Sequence, residues 1–321
     1  MNPYIGHPSQ LFGVEEVRLV GGKADGMRLL QVHNADGLAF AVSADRCADI
    51  SRVRYKGDNM SYFAPCGYVA PTYYDDQGTG FLKSFTAGFF TTCGLTNVGP
   101  PCRDAEETLP QHGTIGNLPC EQIWWEETDD TIDIHARVND SQMFGRKLVL
   151  TRKISCKKFK STITISDIVE NQDDSASPVM LLYHMNMGYP LLSEHAQIFI
   201  SSVRVEPCTP YAAEEINTWS IMPSPQKGAK EQCYNHFFSK EGRAQIYNPK
   251  IGKGMELTFD PQVLDHMTQW KMPGFRDYVL GFEPGNCTTA GRDKDRKNGF
   301  LKFLQPGETK KYELAVRFFS A

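Results

Sequence analysis

No CxxC pair occurs among the nine cysteines, which fall at positions 47, 66, 93, 102, 120, 156, 208, 233 and 287. Zinc knuckles and ribbons are built on such pairs, so neither is expected. There is no basic stripe either. Lys and Arg number 34 against 38 Asp and Glu, a net charge of −4, and the longest basic cluster, 153–160, is broken by Ile154, Ser155, Cys156 and Phe159. A nucleic-acid partner is therefore not expected, because the electrostatic footprint for phosphate is missing. No run of about 18 apolar residues is present, so no membrane-spanning helix is expected. The N-terminus, MNPYIGHPSQLFG, lacks the basic-then-apolar order of a signal peptide. Scattered thiols without an export signal place the expected location in the reducing cytoplasm. Clean helical spacing, a repeat with a period of roughly 20–50 residues, and a Pro/Gly/Ser-rich linker are all lacking, which excludes helical bundles, solenoids and propellers.

What is present is ordinary globular composition, 40% hydrophobic and 22% charged, with 27 Gly and 19 Pro to punctuate turns. Short alternating runs recur along the chain. MRLLQVH (27–33), LAFAVS (38–43), KLVLTRKI (147–154) and TITISDIV (162–169) each read as half-buried strands. The last two, joined by SCKKFKS, read as a hairpin. Further strands are expected over 179–183, 197–205, 245–247, 255–259, 278–282, 300–304 and 311–318, and a turn or two of helix over 212–219. This density of strands predicts an all-β sandwich or barrel. The segment 57–92 is the longest irregular stretch. It holds nine aromatics, among them Phe81, Phe85, Phe89 and Phe90. Long loops on a β scaffold are more often site-forming than idle.

Four segments carry side chains capable of chemistry. TCGLTNVGPP (92–101) is a tight loop with one thiol and the amide of Asn97. PQHGTIGNLP (110–119) holds His112 in a loop between prolines. In LLYHMNMGYP (181–190) an apolar strand runs into His184 and Asn186, which alternation puts on one face. In YVLGFEPGN (278–286) a very apolar strand ends at Glu283, where burial would raise the carboxyl pKa toward that of a general base. Each has a bland reading: a buried Cys, a structural His, a core His bonded to backbone, a solvated strand-end Glu.

Taken together, DRCADI (45–50), the 91–101 loop, HGTIGNLP (112–119), YHMNMGYPLL (183–192), TQWK (268–271), LGFEPGN (280–286) and LQPGE (304–308) resemble the aldose 1-epimerase (galactose mutarotase) superfamily. The likeness is nearest to its uncharacterised aldose-epimerase-like branch. It implies a large antiparallel β-sandwich, the galactose mutarotase-like supersandwich, as one domain over 1–321. It implies that His184 is a general acid, Glu283 a general base, and His112 a catalytic-site His that binds the ring. Asn235 and His236 fall where an Asp-His pair holds sugar hydroxyls. Arg46, Asn97, Asn186 and Trp270 complete the expected substrate contacts. Asn97 stands where the superfamily has an Asn-Arg pair, and no Arg follows it here, so the sugar contacts differ.

The expected partner is a small sugar bound by a monomer or homodimer, with no metal or other cofactor. Convergence of His112, His184, His236 and Glu283 on a metal is the side alternative. The chemistry implied is ring opening and reclosure: carboxylate Glu283 takes the anomeric hydroxyl proton while protonated His184 gives one to the ring oxygen, with a bell-shaped pH profile. The same pair serves isomerisation, epimerisation or elimination on a keto or oxidised sugar. A non-catalytic sugar-binding protein is the third reading. The catalytic readings require His184 and Glu283 to reach one ring, within about 10 Å of each other.

Overall fold

A computed structural model describes residues 3–321. It is built from antiparallel sheets. A five-stranded sheet covers the first sixty residues in sequential order, from Gly13–Arg18 to Asp58–Asn59. An eight-stranded sheet runs Gln122–Glu127, Thr131–Ser141, Lys147–Lys157, Thr162–Asn171, Thr309–Ser320, Lys253–Phe259, Gly242–Asn248, Gln197–Ile200. A seven-stranded sheet faces it. Its order is Arg204–Pro207, Gln232–Phe237, His266–Pro273, Tyr278–Gly285, Ser177–Met187, Lys302–Leu304, with Phe90–Leu95 also paired to Ser177–Met187. The expected all-β sandwich is the observed fold.

The hairpin forms as read, its strands extended to Lys147–Lys157 and Thr162–Asn171. The run 197–205 is not one strand. It breaks at 201–203, where the chain leaves the eight-stranded sheet and joins the edge of the seven-stranded one. The 212–219 turns appear as a short α-helix, Pro210–Glu214, capped by Thr209, and a 3-10 turn, Ile216–Thr218. A second helix, Arg292–Asn298, escapes sequence reading because RDKDRKN shows no apolar periodicity.

One continuous apolar core lies between the sheets. It takes Leu30, Phe40 and Ile50 from the N-terminal sheet, Ile134, Ile165 and Leu314 from the eight-stranded sheet, and Tyr183, Met185 and Phe282 from the seven-stranded one. Strand alternation then assigns the other face of the seven-stranded sheet. If 181, 183, 185 and 187 point into the core, then 182, 184 and 186 point away from it. The same parity turns Glu283, Thr268, Trp270 and Cys233 away from the core and leaves Phe282, Met267 and Tyr234 facing the opposite side. Among the described residues, no helix is long and apolar enough to cross a membrane.

Candidate active site

The outward parity of four neighbouring strands converges on one cleft of about 440 Å³. Its floor is His184 from Ser177–Met187 and Glu283 from Tyr278–Gly285. Trp270 and Thr268 come from His266–Pro273, directly across from Gly281 and Glu283 in register. The 57–92 segment supplies the apolar wall, Phe81 and Phe85, which stack on each other at 4.9 Å. His112 closes the other side. The imidazole of His184 touches three of these rings edge-on: Phe85 at 5.2 Å, Trp270 at 5.3 Å and His112 at 5.9 Å.

His184 Nε2 lies 3.2 Å from Glu283 Oε1. The pair is close but not aligned, since Glu283 Oε1 and His184 Nδ1 both lack a hydrogen-bond partner among the described residues. Both side chains are buried, to 5% and 3% residual exposure. Burial disfavours the charged form of each. It pushes the His184 pKa down to about 3, helped by neighbouring His112 and opposed by the Asn186 side chain. It pushes the Glu283 carboxyl well above its usual range, helped by the charge of Glu231. Burial thus favours a neutral imidazole beside a neutral carboxylic acid. That pair has the same proton count as imidazolium beside carboxylate, so one proton transfer across 3.2 Å converts one into the other.

His112 is placed by a left-handed backbone. His112 and Gly113 both have positive φ, 56° and 69°. A Cβ at Gly113 would sit 2.1 Å from the Gly94 carbonyl oxygen, so the HG dipeptide lets the loop lie against Phe90–Leu95. The His112 carbonyl accepts from Gly94 N–H at 2.9 Å, and its Nδ1 accepts from Gly99 N–H at 3.4 Å. Burial lowers its pKa to about 4. A neutral ring accepting at Nδ1 carries its proton on Nε2, which makes it a hydrogen-bond donor to a hydroxyl.

The remaining residues expected from the sequence divide. Trp270 lines the cleft, its indole N–H donating to Glu231 at 3.2 Å. Asn186 shares the face of His184 but is fully buried behind it, donating to the His184 carbonyl at 3.0 Å. Asn235 is one step removed, accepting from the hydroxyl of cleft residue Thr268 at 3.2 Å. His236 does not reach the cleft. Its parity turns it to the other face, where it meets Gln269 at 3.1 Å, Ser202 at 3.0 Å and the Trp219 ring. Arg46 is also elsewhere, donating to the Val69 carbonyl and the Asn117 side chain inside the fold. Asn97 is a fully buried loop clamp: its amide donates to the Pro100 and Pro110 carbonyls, and its oxygen accepts from Arg292 N–H. With His236 on the opposite face, the four-residue metal cluster does not assemble, and among the described residues no group of three or more His, Cys, Asp or Glu could hold a metal ion.

Sequence reading missed Glu231, Gly281 and Phe81 as parts of the site. Glu231 carries no local motif, and Gly281 lies inside LGFEPGN with nothing to single it out from Glu283. Phe81 was one of many aromatics in its segment. Cavities of about 520 and 540 Å³ exist elsewhere, but neither contains the His–Glu pair. The cations of the first are already engaged, Arg146 with Asp140, Lys147 with Asp173 and Arg292 with Asp104.

The wide antiparallel sandwich is the galactose mutarotase-like fold. A provisionally named aldose 1-epimerase from Klebsiella pneumoniae superposes with a TM-score of 0.90 at 25% identity, over 96% of this chain and 84% of that one. A galactose mutarotase-like protein from Clostridium acetobutylicum gives 0.69 at 10% identity, over 97% and 100%. A galactose mutarotase related enzyme from Lactobacillus acidophilus gives 0.64 at 13%, over 91% and 97%. Within this fold the chain belongs to the family described as a domain of unknown function (DUF4432), whose model matches residues 24–318. No curated protein matches the sequence.

Proposed function

We propose that this protein is a carbohydrate epimerase of the aldose 1-epimerase type, interconverting the anomers of a sugar ring by paired proton transfers. The observation that carries the reading is the 3.2 Å approach of His184 and Glu283 at the floor of an aromatic-walled cleft. Ring opening needs one group to take the anomeric hydroxyl proton and another to protonate the ring oxygen. Sugar hydroxyls entering the cleft offer hydrogen bonds to the Glu283 carboxyl and to His184 Nε2 beside it. Those bonds favour the ionised pair, with Glu283 as base and His184 as acid. Ring opening returns the pair to its neutral form, now Glu283 acid and imidazole base. Rotation about C1–C2 and reclosure reverse the transfers. Trp270, Phe81 and Phe85 offer faces for the apolar side of a pyranose, and His112 a donor for a hydroxyl.

The test is anomer exchange followed by NMR over a panel of aldoses. Glu283→Gln and His184→Gln are each expected to lower kcat by on the order of 10²–10⁴-fold. Full activity in Glu283→Gln would remove the base assignment. Deuterium appearing at a sugar carbon in heavy water would replace mutarotation with enolisation, since mutarotation exchanges only hydroxyl protons.

A further inference from the structure

We propose that the cleft selects its sugar by charge, with Glu231 as the specificity-determining residue: neutral and protonated amino sugars enter, while uronic acids and sugar phosphates are rejected. This rests on the reading of the cleft as a sugar site. The ionisable side chains lining it are Glu231, Glu283, His112, His184 and Cys233, and among the described residues no lysine or arginine lines it. The cations that adjoin lining residues in sequence are engaged elsewhere: Lys230, beside Glu231, lies over the Tyr211 ring at 5.3 Å, and Lys271, beside Trp270, donates to the Thr218 carbonyl at 2.8 Å. Lys83 follows Leu82 of the wall and pairs with Asp75 at 2.7 Å. Arg292 lies near Thr289 in sequence and is tied to Asp104 at 2.7 Å. Arg46, the cation expected from the sequence to clamp a phosphate or carboxylate, is bonded inside the fold.

Glu231 is exposed to solvent, yet its position is fixed. Its carboxylate accepts from the Trp270 indole N–H at 3.2 Å, and the edge of that same ring meets His184 at 5.3 Å. A pyranose resting on Trp270 with its reacting carbon over the His–Glu pair therefore has Glu231 at its rim. Its charge is felt at Glu283 itself. A hydroxyl or ammonium group at that rim can donate to the carboxylate. A carboxylate or phosphate there meets like charge in a partly desolvated cleft with no counter-charge, an arrangement strongly selected against in recognition.

The experiment uses the full chain at low ionic strength and pH 6.5. Anomer exchange and saturation-transfer binding are measured for glucose, galactose, glucosamine, galactosamine, glucuronate, galacturonate and glucose 6-phosphate. Neutral and amino sugars are expected to exceed the acids and the phosphate by on the order of tenfold or more in kcat/KM. Glu231→Lys should narrow that ratio by about as much or reverse it. Glu231→Gln should lose any preference for the amine over the neutral sugars. Glu231 is exposed, so both variants are expected to fold, and thermal melting verifies it. A wild-type protein that takes uronate or phosphate as well as glucose overturns the proposal, as does a Lys variant with an unchanged ratio. If no sugar is epimerised, the catalytic reading fails but binding still decides: the same charge order upholds selection, and a flat order, or no binding by any sugar, overturns it.

Discussion

Glu283 is costly to the fold in proportion to its use. Its carboxyl pKa is raised by burial, from 4.5 to well above. Between those values the folded chain keeps a proton that the unfolded chain has released, so stability falls as pH rises through that window. Glu283→Gln cannot titrate and escapes the loss. The variant is expected to be more stable than wild type above pH 5, the gap widening by up to about 1.4 kcal/mol per pH unit. Denaturant titrations at several pH values check this, and a gap that stays flat would mean the carboxylate is solvated. His184 works with the opposite sign. Its pKa falls on folding to about 3, so the neutral form is stable and its contribution is lost as pH drops below the ordinary imidazole value. For catalysis the two shifts move in opposite directions and widen the working range. The kcat/KM profile, which reports the free enzyme, is expected to show no inflection near 6.5. Its acid limb should fall well below that value, and its alkaline limb should lie above the usual carboxylate range. The bell expected from the sequence becomes a plateau because burial acts on both groups. Direct rate measurements across pH 5 to 9 decide it, and an inflection at 6.5 would show a solvated His184.

Strand parity decided which expected residues meet. The hairpin over Lys147–Lys157 and Thr162–Asn171 was legible because one face meets the core and the other meets water, which writes alternation into the sequence. The site strands Phe90–Leu95, Ser177–Met187 and Tyr278–Gly285 are buried on both faces and show almost no alternation. What remained readable was the exception: a His and a Glu on otherwise apolar strands. His236 failed for the complementary reason, since its neighbours in sequence do not say which face of Gln232–Phe237 is the cleft. Glycine marks the elements that carry the pair. A Cβ at Gly281 would meet Glu283 Oε1 at 2.6 Å and Trp270 Cβ at 3.0 Å. Gly281→Ala should therefore fold, displace the carboxylate, and lower kcat by tenfold or more with a smaller change in KM, because misplacement costs the chemistry before it costs binding. Gly113→Ala is different. Its Cβ meets backbone, the Gly94 carbonyl, in a left-handed conformation. A stability loss of about 2–4 kcal/mol is expected there, read as a lower melting temperature. A Gly281→Ala protein with wild-type kcat would show that the carboxylate has room to move.

The three large sheets are tied at one buried point, which the sequence places just ahead of its basic stretch. Arg152 is fully enclosed, while its neighbour Lys153 is half-buried. Its guanidinium bonds Asp167 on the paired strand of the eight-stranded sheet, at 2.9 and 2.7 Å. It also bonds Asp49 at 2.9 Å and the Cys47 carbonyl at 2.8 Å, at the start of Asp49–Tyr55 in the N-terminal sheet and just before it. A further bond at 2.8 Å goes to Thr92 on the strand that flanks His184, and Thr92 in turn donates to Asp49. Tyr183, the residue before His184, donates to Asp167 at 3.0 Å. From this network and the shared core, the protein is expected to melt in a single calorimetric transition. Arg152→Met tests that directly. It fills the volume but strands two buried carboxylates, for an expected loss of about 3–5 kcal/mol. The loss should shrink between pH 7 and pH 5.5. Asp49 is already raised to about 6 by burial with its partner in place, and without Arg152 it protonates more readily still. Because the strand beside His184 hangs on the same guanidinium, kcat should fall along with stability even where the variant is folded. A second, separate transition in the Arg152→Met protein, with exchange activity retained, would instead show sheets that fold apart and a site that does not depend on their junction.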